Sequence, residues 1–86
     1  MQIKYSKDAL KFIAKLEAKQ AKRIREAVKG LTKSPPEGDI KLLSGYNDGR
    51  MRLRIGGWRV IFRFGAENEI EILFVLDIGN RGDIYK

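Results

Sequence analysis

Eighty-six residues, 43% of them hydrophobic, make a single domain spanning residues 1–86, since either half would be too small to bury a core. With neither cysteine nor histidine, the chain cannot build a disulfide scaffold, a thiolate zinc site or a cysteine nucleophile, and it lacks the commonest general base at neutral pH. Eighteen Lys and Arg against eleven Asp and Glu, a net charge of +7, imply a polyanion partner.

The chain opens on MQIKYSKDAL, which has no secretory apolar region, and no apolar run approaches the ~20 residues of a membrane span. A soluble cytoplasmic protein without a membrane partner is the expectation. Gln2–Tyr5 alternates and reads as a short strand. Ser6 is a candidate helix N-cap, with Asp8 in the first turn where the helix dipole favours an acid. Ala9, Phe12, Ile13 and Leu16 recur at helical spacing, and Ile24, Ala27, Val28 and Leu31 repeat the pattern. Two helices joined by a tight turn near residues 18–20 are preferred to one long helix, because two short helices cover a small sheet better. Lys11, Lys15, Lys19, Lys22, Arg25 and Lys29 give them a basic outer face.

Ser34-Pro35-Pro36-Glu37-Gly38-Asp39 ends the helical region. Ile40, Leu42 and Leu43 form an apolar anchor, and residues 44–49 a turn-rich loop. Residues 50–55 alternate strictly, with Arg50, Arg52 and Arg54 opposite Met51, Leu53 and Ile55. Gly56-Gly57 is a two-residue hairpin signal. In residues 58–64, Trp58, Val60, Phe62 and Phe64 share one face, and Arg59, Ile61 and Arg63 the other. Glu67-Asn68 marks the next turn. Residues 70–76, apolar on both faces, predict a central strand, and residues 77–86 a polar tail.

The predicted class is α+β: a small antiparallel sheet with two N-terminal helices packed on one face, in the order β-α-α-β-β-β. The helices cover Met51, Leu53, Ile55, Trp58, Val60 and Phe62, so the opposite face collects Arg50, Arg52, Arg54, Arg59 and Arg63. Aligned arginines on neighbouring strands repel, and such a face needs an anion or a partner. Glu69 and Glu71 are the candidate cross-strand acids. From Arg50 to Arg81 every basic residue is arginine, whose planar fork suits phosphate, whereas the first 33 residues are lysine-rich. Tyr46, in a loop, and Tyr85 could stack on bases of single-stranded RNA. No phosphate loop, metal-ligand cluster or cofactor motif is present.

Lys41-Leu42-Leu43, the run from Arg50 to Phe62, and Ile78-Gly79-Asn80-Arg81-Gly82-Asp83-Ile84-Tyr85 together resemble toxins of the RelE/ParE superfamily, the toxic halves of type II toxin–antitoxin pairs. The resemblance spans essentially the whole chain. It implies a RelE-like fold, and for RelE-like members an endoribonuclease that cleaves mRNA in the ribosomal A site without a cofactor. ParE-like members instead poison DNA gyrase. Carried over residue by residue, the RelE active-site positions fall on Arg50, Arg52, Arg59, Arg81 and Tyr85. The resemblance implies catalytic roles for Arg52, Arg59, Arg81 and Tyr85, with Arg50 contacting RNA, and the charge and aromatic pattern adds Arg54, Arg63, Tyr46, Lys19 and Lys22 as expected RNA contacts. The implied partners are a cognate antitoxin, the 70S ribosome with its mRNA, and operator DNA reached only through the antitoxin. Arginine at 50 and 52, where relatives often have lysine, is a poorer proton acceptor and leaves the general base unassigned. A ribosome-dependent endoribonuclease, a non-enzymatic gyrase inhibitor and a non-catalytic basic RNA- or ribosome-binding module are the three expectations.

Overall fold

Ser6 starts the helical layer as its chemistry predicts. Its backbone is extended, and its Oγ accepts the Ala9 amide at 3.0 Å, capping α1 (Lys7–Ala14). The chain turns at residues 15–17, three positions earlier than expected. The Glu17 amide donates to Gln20 Oε1 at 3.3 Å as α2 (Ala18–Gly30) begins. The computed structural model describes residues 1–80, and among these no helix is long and apolar enough to cross a membrane.

Among the described residues five strands form one sheet: β1 (Gln2–Tyr5), β2 (Asp39–Leu42), β3 (Met51–Ile55), β4 (Trp58–Glu67) and β5 (Ile70–Asn80), in the order β1-β5-β4-β3-β2. The α+β class and the two-helix layer match expectation, while the sheet is mixed and larger. β1 runs parallel to β5, with Ile3 opposite Leu73, and the other pairs are antiparallel. Ile40 and Leu42 of the expected apolar anchor lie on the edge strand β2, where they alternate with Asp39 and Lys41, and Leu43 follows the strand. β5 is central, as its two apolar faces require, yet it continues four residues into the segment read as a tail.

A bulge makes that continuation possible. Phe62 pairs with Val75 and Ile61 with Asp77, so Leu76 is an extra residue on β5. The insertion reverses parity, and Ile78 rather than Asp77 turns toward the helices. Ser6 holds the bulge in place: its amide donates to Val75 O at 2.9 Å and its hydroxyl to Leu76 O at 2.7 Å. One side chain thus starts a helix and fixes a strand's register.

The core lies where the periodicity places it. Ala9, Ile13, Ile24, Val28 and Leu31 bury against Leu53, Ile55, Val60, Phe62, Leu73, Val75 and Ile78. Trp58 and Met51 pack at its margin, and the Arg23 guanidinium lies 5.7 Å from the Trp58 ring centroid. Tyr5 joins that margin from β1. Its burial raises the phenol pKa, with Arg25 pulling the other way. At the β3–β4 turn Gly56 takes φ +56°, and Ile55 pairs with Trp58 across the two-residue loop. The β4–β5 turn is Asn68-Glu69, one residue later than expected, with φ of +50° and +68°.

Candidate functional site

The face of the sheet away from the helices carries the arginines. On it Asp39 stands opposite Arg54, Lys41 opposite Arg52, Arg54 opposite Arg59, and Arg52 opposite Ile61. Lys41, Arg52, Arg54 and Arg59, with Leu42, Leu43 and Ser44, line an open concavity of about 370 Å³. Three guanidinium groups and an ammonium converge there, each able to donate to an anion. Gly79 lies opposite Arg59 on β5 and sets no side chain against it.

The arginines are not equivalent. Arg59 is 6% exposed, and its Nη1 donates to Trp58 O at 3.2 Å. It is thus a buried charge at the base of the concavity, where the alternation alone suggested a free surface residue. Arg52 is nearly as sheltered, and its Nη1 donates at 3.4 Å to both the backbone carbonyl and Oδ1 of Asp39. Arg54 is more open and lies 3.8 Å from Asp39 Oδ2.

Two of the expected arginines are engaged elsewhere. Arg50, just before β3, gives Nε and Nη2 to the Asp48 carboxylate at 3.2 and 2.8 Å and stacks 4.3 Å from the centroid of the exposed Tyr46 ring. Hydrogen bonds from Arg50 hold the Asp48 carboxyl below the usual range, and Asp48 in turn raises the Arg50 pKa. Arg63 lies 4.3 Å from the Phe74 ring centroid, across Gly65. A Cβ on Gly65 would meet Arg63 Nη1 at 2.7 Å and Phe74 Cε2 at 2.9 Å, so this stack needs a bare backbone beneath it. Ile61 and Ile72 are also buried on this face, away from the helix-side core.

The structure therefore brings Arg52, Arg54 and Arg59 together and places Arg50 with Tyr46 in a separate clamp before β3. Lys19 and Lys22 are exposed on α2, in the layer across the sheet, and Lys22 pairs with Glu26 at 4.0 Å. Arg81 and Tyr85 lie outside the described residues. Among the described residues, the acids pairing with the sheet arginines are Asp39 and Asp48, in place of the expected Glu69 and Glu71. Lys41, Ser44 and Asp39 were not anticipated as site residues. The alternation of Asp39 and Lys41 with Ile40 and Leu42 is the signal that places them on the arginine face.

Comparison with known proteins bears on this arrangement. The archaeal RelE–RelB complex from Pyrococcus horikoshii has a chain that superposes with a TM-score of 0.70 at 26% identity, over 95% of this chain and 96% of that one. The YoeB/ParE toxin from Agrobacterium tumefaciens superposes with a TM-score of 0.75 at 16% identity, over 93% of this chain and 98% of the other. The RelBE2 toxin–antitoxin complex from Mycobacterium tuberculosis gives 0.70 at 20% identity, over 93% and 96%. The latter two likenesses concern the fold alone. No curated protein sequence matches. The family described as ParE toxin of the type II toxin–antitoxin system parDE matches residues 3–85, and the chain therefore belongs to this toxin family, within the RelE/ParE superfamily.

Proposed function

We propose that this toxin is a ribosome-dependent endoribonuclease that cleaves mRNA in the A site and so inhibits translation. The observation that carries the proposal is the convergence of Arg52, Arg54, Arg59 and Lys41 on one concavity, with two of the arginines sheltered from water. In the reaction the ribose 2′-oxygen bonds to the adjacent phosphorus, and the bond from phosphorus to the 5′-oxygen breaks. The 2′-OH proton leaves and a proton reaches the departing 5′-oxygen, giving a 2′,3′-cyclic phosphate and a 5′-OH. Arg52 and Arg59 donate to the charge that develops on the phosphorane, where a low-dielectric setting strengthens each bond. A positioned donor of this kind is worth about 2.7–4 kcal/mol.

Acid–base groups are scarce. Tyr85 is assigned to proton transfer, with Arg81 as a further phosphate donor, both by resemblance. Such a catalyst is strong in electrostatics and depends on the ribosome to align the 2′-OH, so cleavage of free RNA is expected to be weak. Arg54 and the Tyr46–Arg50 stack guide the RNA, and Lys19 and Lys22 add long-range attraction from the helical layer. The partner is an antitoxin with an acidic, amphipathic segment that neutralises the basic surfaces, and through it the pair reaches operator DNA. The toxin acts in the cytoplasm.

The family match to ParE toxins favours a second reading, gyrase inhibition without catalysis. Mapping mRNA 5′ ends in a reconstituted translation system, beside a gyrase supercoiling assay, separates the two. Cleavage at A-site codons with unimpaired supercoiling supports the endoribonuclease, and intact mRNA with blocked supercoiling overturns it.

A further inference from the structure

Asp39 meets the arginines of the concavity loosely. Its Oδ1 is 3.4 Å from Arg52 Nη1 and its Oδ2 3.8 Å from Arg54 Nη1, with the side chain 55% exposed. The Asp48–Arg50 clamp differs, with two bonds from one guanidinium to one carboxylate, at 3.2 and 2.8 Å. Asp39 spreads its two oxygens over two guanidinium groups, as the two non-bridging oxygens of a phosphodiester would be shared. We propose that Asp39 is an internal stand-in for the substrate phosphate, which a phosphodiester must displace to bind between Arg52 and Arg54. The inference rests on reading the concavity as a phosphodiester cradle.

Backbone geometry fixes where this carboxylate stands. Gly38 has φ +131°, and a Cβ there would lie 2.5 Å from Leu53 Cδ1, so only glycine lets the chain pass this close to the core. The next residue is thereby held in register with Arg54. In the free protein Asp39 offsets the repulsion of Arg54 from Arg59, which stand directly opposite one another. With the carboxylate 55% exposed and its contacts as long as 3.4 and 3.8 Å, the pairing contributes little, so displacing it is cheap. After displacement the carboxylate remains beside the incoming phosphate as a like charge and weakens binding again. A basic toxin with an unguarded cradle would be held by any nucleic acid in proportion to its positive charge. A displaceable internal anion lowers that background and reserves the cradle for RNA that is positioned by other contacts.

The test uses the full chain and a fluorescein-labelled hexanucleotide RNA, 2′-O-methylated throughout so that it cannot be cleaved, with affinity read by anisotropy over a range of KCl concentrations. Asp39→Asn is expected to bind about three- to tenfold tighter than the parent at low salt, combining the lost ion pair with the removed like charge. Asp39→Glu, which restores the carboxylate, is expected within about twofold of the parent. Glu71→Gln removes an acid outside the concavity and is expected to gain less than about twofold, because exposed charges at a distance are screened. Adding Arg52→Gln to Asp39→Asn should erase the gain. Equal or weaker binding by a folded Asp39→Asn chain overturns the inference, as does an equal gain in Glu71→Gln. Asp39→Ser provides the same test if the asparagine variant does not fold. If Arg52→Gln alone weakens binding while Asp39→Asn does not tighten it, only the role of Asp39 falls. If Arg52→Gln alone changes nothing, the cradle reading falls and the inference with it.

Discussion

Replacing Arg59 by methionine separates catalysis from stability, because the two effects are read by different measurements. Arg59 is 6% exposed on the central strand β4, where the bond to Trp58 O is one of its interactions and a like charge, Arg54, stands directly across the ladder. Methionine keeps the unbranched stem that fills the site, so the cavity term is small. Losing the charged hydrogen bond to Trp58 O costs about 1.5–3 kcal/mol, while relief of the Arg54 repulsion returns about 0.2–1 kcal/mol. These two terms alone leave a destabilisation of about 1–2 kcal/mol, which for a domain of this size is a fall of about 4–16 °C in Tm. On the catalytic scale, a lost donor to the phosphorane costs about 2.7–4 kcal/mol, a rate loss of about 10²–10³. Denaturant unfolding and A-site cleavage in reconstituted translation, on the same preparation, check both numbers. Folded Arg59→Met toxin that cuts at the parental rate would refute the assignment of Arg59 to the reaction. A loss of several kcal/mol in stability would instead show that the buried guanidinium serves the fold.

Ser6→Ala removes both the cap of α1 and the hydroxyl bond to Leu76 O, and should cost about 2 kcal/mol in denaturant unfolding, with Ser6→Thr recovering part of it. Glu69→Gly relieves a side chain held at φ +68° in the β4–β5 turn, and a rise of about 0.5–1 kcal/mol in unfolding free energy is expected from the same measurement. The Asp48 pKa is lowered in the folded chain, so the clamp on Arg50 is complete above the ordinary aspartate range and is lost only as pH falls through the lowered value. NMR titration of the Arg50 Nε–H resonance should follow that transition and lose it in Asp48→Asn, whereas a midpoint at or above ordinary aspartate would contradict the clamp.

Period and turn chemistry alone determine much of this protein. The stripes at Ala9–Leu16 and Ile24–Leu31, the opposition of Arg52 and Arg54 to Leu53 and Ile55, and the Gly56-Gly57 hairpin follow from spacing, because helix and strand repeats are properties of the local backbone. The same parity puts Arg59 on the arginine face. Depth is another matter, since alternation assigns a side and tertiary position assigns burial. Arg59 sits on the middle strand of the sheet with neighbours on both flanks, and on β3 Arg52 is sheltered while Arg54, two residues on, stays open to solvent. The alternation over Asp39–Leu42 assigns a face but spans four residues, and β3 supplies the ladder that makes it a strand and brings Asp39 and Lys41 to the site. The course of residues 77–80 was decided in the same way. Residues 70–76 are apolar on both faces and carry no parity signal. A hydroxyl seventy residues away, that of Ser6, holds the bulge at Leu76 and turns Ile78 into the core. Contacts of that separation exist only once the chain has closed on itself, which is why the arginines could be named from the sequence and their unequal exposure could not.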